Sequence, residues 1–243
     1  MKSIVNNRTY KSLLLVLCML FIPTLLRAAS GSSSTRGSRH SFKVNAHSNP
    51  VNDIENKAVL LFSPKSQAKA SLYIELVDPQ EKTIRIDWGE GNGVEKVTLD
   101  ENGYINHTFS KDVDGYHIVI IDVSNVEILK DGDYDGAPIG VREINAPKMT
   151  AFSTSSALTA TPEIDFSHLP KLQYVSFNAI SSFVAPESLM SFSMYRSTGA
   201  SAPYLTSIDL SRAKNLKTLQ IQQASHMLKE IDLTQNKELT TLM

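Results

Sequence analysis

The chain has 243 residues, 42% hydrophobic and 20% charged, with 24 Lys and Arg against 25 Asp and Glu for a formal net charge of −1. That length allows one large domain or two small ones with a substantial hydrophobic core. The near-neutral balance excludes nucleic acid as the main partner, because phosphate binding needs a basic footprint.

Lys2, Arg8 and Lys11 precede the apolar run Leu13–Leu26, and the small residues Ala28, Ala29 and Ser30 follow it. A basic start, an apolar centre and small exit residues predict a secretory signal peptide over residues 1–29, cut after Ala28 or Ala29. A membrane span needs about 20 apolar residues; this run is shorter and Pro23 breaks it. The expectation is export, to the medium, the outer surface or the periplasm, with no membrane span after cleavage. The only cysteine, Cys18, lies in the leader, and Leu17 before it is not the small residue that lipidation requires. The mature chain would hold no thiol, so no disulfide and no cysteine nucleophile, and must rest on its core.

Residues 30–56 are rich in Ser, Asn, Arg and Gly and predict a flexible linker, with His40 and His47 as solvated side chains. From Ala58 the pattern turns to β. Ala58–Phe62, Ser71–Val77, Thr83–Trp88, Val94–Leu99, Tyr104–Phe109 and Tyr116–Val123 read as short strands. Gly89, Gly91 and Gly93 punctuate a turn that needs positive φ, and Asn102-Gly103 is a hairpin signal. Short strands without long helical patterns predict a small β-sandwich over residues 57–129. The GEGNG segment is not a phosphate loop, because a strand rather than a helix follows it.

Three segments of this region, IDWGEG at Ile86–Gly91, HTFS at His107–Ser110 and GYHIVIIDV at Gly115–Val123, resemble the polycystic-kidney-disease (PKD) type of immunoglobulin-like domain. The order and spacing agree over roughly Lys57–Leu129. Asp87-Trp88 reverses the family's aromatic-Asp order, Glu90 replaces Asp and Phe109 replaces Tyr. The resemblance implies a spacer or protein-contact module without chemistry of its own.

Residues 130–140 form an acidic junction. Asp131, Asp133 and Asp135 have the D-x-D-x-D-G opening of a calcium loop, but Arg142 stands where a bidentate Glu is needed. An interdomain turn is the expectation and calcium the minority reading, with no metal or cofactor otherwise implied.

From Leu205 the phrase L-x-x-[LI]-x-[LI] recurs at Leu205, Leu216 and Leu228 and, shortened, at Leu239, in steps of 11, 12 and 11 residues. Weaker copies start at Val141, Met149, Leu172 and Leu189. The longer period is 44 residues from Ile164 to Ile208, two units, and 23 from Ile208 to Ile231. Self-similarity at this spacing predicts a stack of short strands over 141–243, each rung burying its apolar face on the next. An amphipathic helix fails, since these positions do not hold one helical face.

LTSIDLS at Leu205–Ser211, LKTLQI at Leu216–Ile221 and LKEIDLT at Leu228–Thr234 resemble the leucine-rich repeats of secreted internalin-like and BspA-like surface proteins. Asn236 falls on that family's ladder asparagine, where Ala213 stands in the phrase before. The fold expected is thus mainly β: a PKD/Ig-like sandwich, then a leucine-rich-repeat solenoid with short strands.

Outward positions form two columns of candidate partner-binding residues: Gln173, Tyr174 and Ser176 with Lys217 and Gln220, and the acidic set Asp165, Asp209 and Asp232. The Asp of each IDL phrase also has a plain reading as a solvated strand position. No G-x-S-x-G, H-E-x-x-H or paired-carboxylate motif appears, so no enzyme is expected; His107, His117, His168 and His226 are dispersed. The function implied is a secreted or cell-surface binding protein engaging a host or cell-surface protein or glycan through its repeats. The alternatives are a spacer or antigenic envelope component without a specific ligand, and the non-catalytic front of a longer adhesin or enzyme. The stack appears cut mid-phrase at Thr241-Leu242-Met243, which predicts a truncated array or end-to-end self-association.

Overall fold

Alternating apolar residues commit this chain to strands, and the computed structural model contains sixteen, with no helix among the described residues. Those residues are 54–63, 67–110, 115–131, 137–195, 202–222 and 227–243, all within one compact unit, Asn49–Met243. The expected leader, most of the linker, and Asp133 and Asp135 of the junction lie outside them. No helix there is long and apolar enough to cross a membrane.

The front strands are β1 (Lys57–Phe62), β2 (Lys69–Leu76), β3 (Thr83–Asp87), β4 (Glu95–Thr98), β5 (Tyr104–Thr108), β6 (His117–Asp122), β7 (Val126–Asp131) and β8 (Gly140–Ile144). Six lie within two residues of the sequence expectation; β7 went unseen, and β8 was expected as the first repeat phrase. One antiparallel sheet runs β4-β3-β6-β1-β8. In β6 the residues His117, Val119 and Ile121 are buried and alternate with half-buried neighbours, as period two demands. Strand β1, between β6 and β8, has Ala58, Leu60 and Phe62 in the main core and Val59 and Leu61 buried on the other face.

The Asn102-Gly103 signal marks a real turn but not a hairpin. Asp100 Oδ1 accepts the N–H groups of Asn102 and Tyr104 at 2.9 and 2.8 Å, and Gly103 takes φ +86°. Yet β4 pairs with β3, whereas β5 crosses to pair with β2 in the other sheet. Leu99 and Ile105, on either side of the corner, are both buried in the core. The glycine turn behaves as read: Gly89, Gly91 and Gly93 all have positive φ. A Cβ on Gly89 would stand 2.7 Å from the Ile118 carbonyl oxygen, so only glycine lets the turn lie against β6.

The repeat strands are β9 (Ala151–Ser153), β10 (Glu163–Asp165), β11 (Tyr174–Phe177), β12 (Ser182–Val184), β13 (Ser191–Tyr195), β14 (Ser207–Asp209), β15 (Thr218–Gln222) and β16 (Thr241–Leu242). They form a β-solenoid of about four turns. Alternate phrases fall on different sheets: β10-β12-β14 form a three-stranded parallel sheet, while β9-β11-β13-β15-β16 stack in parallel on the opposite wall. Ile164 and Ile208 stand two turns apart with Phe183 between them in register, as the 44-residue spacing implied. The larger wall advances from Ala151 to Tyr174, Ser191, Thr218 and Thr241, steps of 23, 17, 27 and 23 residues.

The two halves are not separate layers joined by a linker. Strand β7 pairs antiparallel with β2 on one side and parallel with β9 on the other, giving one eight-stranded sheet, β16-β15-β13-β11-β9-β7-β2-β5. One buried cluster accordingly extends from Ala58 to Leu219. Inside the solenoid it is a zigzag of phenylalanines drawn from alternate walls. Phe152, Phe166, Phe177, Phe183 and Phe192 have neighbouring ring centroids 4.9 to 6.1 Å apart, in tilted or edge-on arrangements. Phe183 touches three of these rings and is 1% exposed. Phe183→Ala is expected to lower unfolding free energy by roughly 3–5 kcal/mol in urea titration; unchanged stability would mean that the two walls do not share this core.

Candidate binding surfaces

Strand pairing converts the large sheet into rows, one residue per strand. One outward row reads Tyr104, Tyr73, Lys130, Ser153, Ser176, Ser193, Gln220, each in register with the next. At about 4.8 Å per strand it is roughly 29 Å long, and it crosses from the front strands to the solenoid without a break. The Tyr73 and Tyr104 rings meet edge to face at 5.3 Å, and Lys130 Nζ lies 4.3 Å over the Tyr73 ring. Tyr73 OH donates to Glu75 Oε2 at 3.1 Å. Burial and the nearby carboxylate push its phenol up to about 12, so it stays a neutral donor.

The serine part of the row is a closely fitted floor. Ser176 and Ser193 are buried, and Gln220 is 2% exposed. Gln220 Oε1 accepts Ser193 Oγ at 3.2 Å and Tyr195 OH at 2.7 Å. Of the first candidate set, then, Ser176 and Gln220 pack against their own sheet, while Gln173 and Tyr174 are half-buried and Lys217 is exposed. The register aligns Tyr174 with Ser191 and Thr218, and Ser176 with Ser193 and Gln220. Tyr73, Tyr104 and Lys130 were missed. Their alternation was legible, but only pairing through β7 brings them into this row.

The acidic column has a local structural role. Asp165 Oδ1 accepts the N–H of Ser167 at 2.8 Å, Asp209 Oδ1 accepts the N–H and Oγ of Ser211 at 3.0 and 2.7 Å, and Asp232 Oδ1 accepts the N–H of Thr234 at 2.8 Å. Each Asp closes the turn that ends its phrase, an Asx-type bond from residue i to i+2. Those bonds hold all three carboxyls below the ordinary range. The side chains remain exposed. Asn236 links successive turns: its buried Nδ2 donates to the carbonyls of Leu210 and Ala213 in the preceding turn, at 3.0 and 2.7 Å. Threonines at phrase starts do the same in smaller form: Thr206 and Thr240 donate to the Ser181 and Lys217 carbonyls of the previous turn, and Thr150 to the Glu127 carbonyl of β7.

In the front sheets, His107 stacks on Trp88 at 4.3 Å and 7°, and its Nε2 lies 2.8 Å from Glu90 Oε2. Glu90 Oε1 accepts the N–H and Oγ of Ser110 at 2.7 and 2.8 Å. Burial works to raise the Glu90 pKa, but the Ser110 bonds and His107 outweigh it and leave it lowered. The hydroxyl and the imidazole converge on one carboxylate rather than on each other, so this cluster fastens the Trp88–Gly91 turn to the end of β5 and is not a nucleophile–base pair.

Asp131 ends β7, and both its oxygens accept the N–H of Ser155, at 2.8 and 2.7 Å, with Ser155 Oγ on Oδ2 at 3.0 Å. Its carboxylate thus joins β7 to the loop after β9. Among the described residues no group of three His, Cys, Asp or Glu is placed to hold a metal ion. Burial, partly opposed by the Ser155 bonds, raises the Asp131 pKa to about 6.

Two outcomes follow from these contacts. Asn236→Ala removes the side-chain donor that the Leu210 and Ala213 carbonyls share with the backbone N–H groups of Ala213 and Leu216, and is expected to cost about 1–3 kcal/mol in a denaturant titration. For Asp131 the folded pKa exceeds the ordinary value of 3.8, so the folded state holds the proton more tightly, and this site's contribution to stability declines as pH rises from about 4 to about 6. Asp131→Asn is expected to remove that decline from the pH–stability curve; an unaltered curve would contradict it. Comparison of the chain with protein families, curated proteins and solved structures returns no match.

Proposed function

We propose that this is an exported or surface-exposed binding protein that engages a protein partner across the outer face of the eight-stranded sheet, the signal-like leader supplying the route out of the cell. The observation that carries this reading is the Tyr104–Tyr73–Lys130 end of the row, two half-buried tyrosines and a lysine in register beside the closely packed floor of Ser176, Ser193 and Gln220. Rigid aromatic side chains at the edge of a flat polar face are the usual energetic anchors of protein contacts. Tyr174 and Lys217, beside the row, extend it. The repeat grammar and the Asn236 ladder support assignment of the stack to the leucine-rich-repeat type. The Trp88–His107–Glu90 fastening supports a PKD-type module for the front strands, which would then present the stack.

The test is retention of matrix and cell-surface proteins, and of glycans as the alternative partner, on the immobilised protein. Tyr73→Ala with Tyr104→Ala is expected to weaken binding by about tenfold or more. Asp165→Asn, which keeps its turn-closing oxygen, should leave binding unchanged. Undiminished binding by the double tyrosine variant would remove the sheet face from consideration, and retention of glycans alone would replace the protein partner.

A further inference from the structure

The three-stranded sheet stops one strand short of what its repeat specifies. Ile164, Phe183 and Ile208 are in register, and the next residue of that column is Ile231, in the same Glu/Ser-Ile-Asp setting 23 residues on. Yet Glu230–Asp232 forms no strand, and no hydrogen bond joins it to β14. Earlier rungs make such bonds at their start: Ser181 N–H donates to Pro162 O at 2.7 Å, and Thr206 N–H to Ser181 O at 2.8 Å. The corresponding bond from Lys229 to Thr206 is missing. One wall of the resulting slot, β14, is held by its pairing with β12, and on the other Asn236 ties the turn after Asp232 to Leu210 and Ala213.

Between β14 and this parted segment lies a groove of about 630 Å3, lined by Thr206, Ser207, Ile208, Met227 and Lys229–Asp232, within the 300–1,000 Å3 or so of ligand clefts. Its chemistry is that of an unfilled strand position. Ser207 and Asp209 direct their backbone groups to β12, as the bond from Ala185 N–H to Asp209 O at 2.9 Å shows. By the alternation of a ladder, the N–H and C=O of Ile208 face the groove, and they make no hydrogen bond across it to Lys229–Asp232. Ile208 and Ile231 are both only partly buried, one on each side. The outward positions that flank them are acidic, Asp209 on one wall and Glu230 and Asp232 on the other. Asp209 and Asp232 each use Oδ1 to close a turn. Lys229 at the mouth and Arg212 on the turn beyond Asp209 are the nearby cations.

We propose that this groove binds an extended peptide by strand addition, in a pattern of alternating cationic and apolar residues. The peptide backbone would pair with Ile208, one apolar side chain would pack between Ile208 and Ile231, and the cationic side chains on the other face would meet the carboxylates of Asp209, Asp232 and Glu230. This site is distinct from the broad sheet face, and its occupancy does not depend on that face binding anything.

The probe is a short labelled peptide alternating Lys with Ile, titrated against the purified protein by fluorescence anisotropy, with hydrogen exchange read at the Ile208 amide. Saturable binding is expected, with the Ile208 amide exchanging freely in the unliganded protein and protected in the complex. Asp209→Asn with Asp232→Asn keeps both turn-closing oxygens but removes two charges, and should weaken binding at least tenfold. Backbone N-methylation of the peptide should abolish binding, and Tyr73→Ala with Tyr104→Ala should leave it intact. An Ile208 amide already protected without peptide would show that Glu230–Asp232 itself fills the position, and would overturn the proposal. Equal binding of a peptide alternating Glu with Ile, or of the N-methylated peptide, would overturn it too.

Discussion

The parallel pairing of β7 with β9 is the contact on which the rest of the structure depends. A stack of short strands leaves an unpaired edge at its first rung, and such an edge is a liability for any exposed sheet. Here Ile128, Leu129 and Lys130 pair with Ala151, Phe152 and Ser153, while the other edge of β7 is occupied by β2. The sheet therefore changes from antiparallel to parallel at a single strand without losing backbone pairing. Because the inward residues Leu129, Phe152, Val175, Phe192 and Leu219 continue across that junction, the apolar core runs through it too. Asp131 then holds the end of β7 to Ser155 in the loop beyond β9. Moving β7 would disturb both halves at once.

A second economy concerns polar side chains. Much of the polarity in the phrases serves the backbone rather than a ligand. The bond from an Asp carboxylate to the N–H two residues on recurs at Asp78, Asp87, Asp100, Asp122, Asp165, Asp209 and Asp232, in the front strands and the repeats alike. Asn236 and the phrase-start threonines add a second donor to carbonyls that already accept a backbone N–H, fastening each phrase to the strand or turn before it. The tyrosine-bearing end of the large sheet and the open edge of β14 are the two surfaces proposed for recognition. Asp209 and Asp232 belong to both categories, since each fastens its turn through Oδ1 and still presents an exposed, ionised carboxylate.

The sequence by itself determined the strand content, the glycine turn at Gly89–Gly93 and the repeat period. These follow from near-neighbour physics: alternation sets which residues of a strand are buried, positive φ selects glycine, and a recurring phrase must stack. It also offered two readings of the IDL aspartates, a partner contact and a solvated strand position, and hydrogen-bond geometry adds a role that neither contained, closing the turn. What the tertiary structure alone decided was pairing. Val126–Asp131 has no clean alternation, because Val126, Ile128 and Leu129 are all buried, so no strand is legible there, and its last two residues fall in the expected acidic junction. Asn102-Gly103 specifies a tight turn, yet the turn's local energy is indifferent to whether its flanking strands share a sheet. Burial of Leu99 and Ile105 in the common core sends them to different ones. Likewise Val141–Ile144 fits the repeat frame, but pairing with β1 claims it for the front sheet. Local chemistry chooses the elements, whereas the edge each strand finds depends on core burial and backbone pairing contributed by residues far away in the chain.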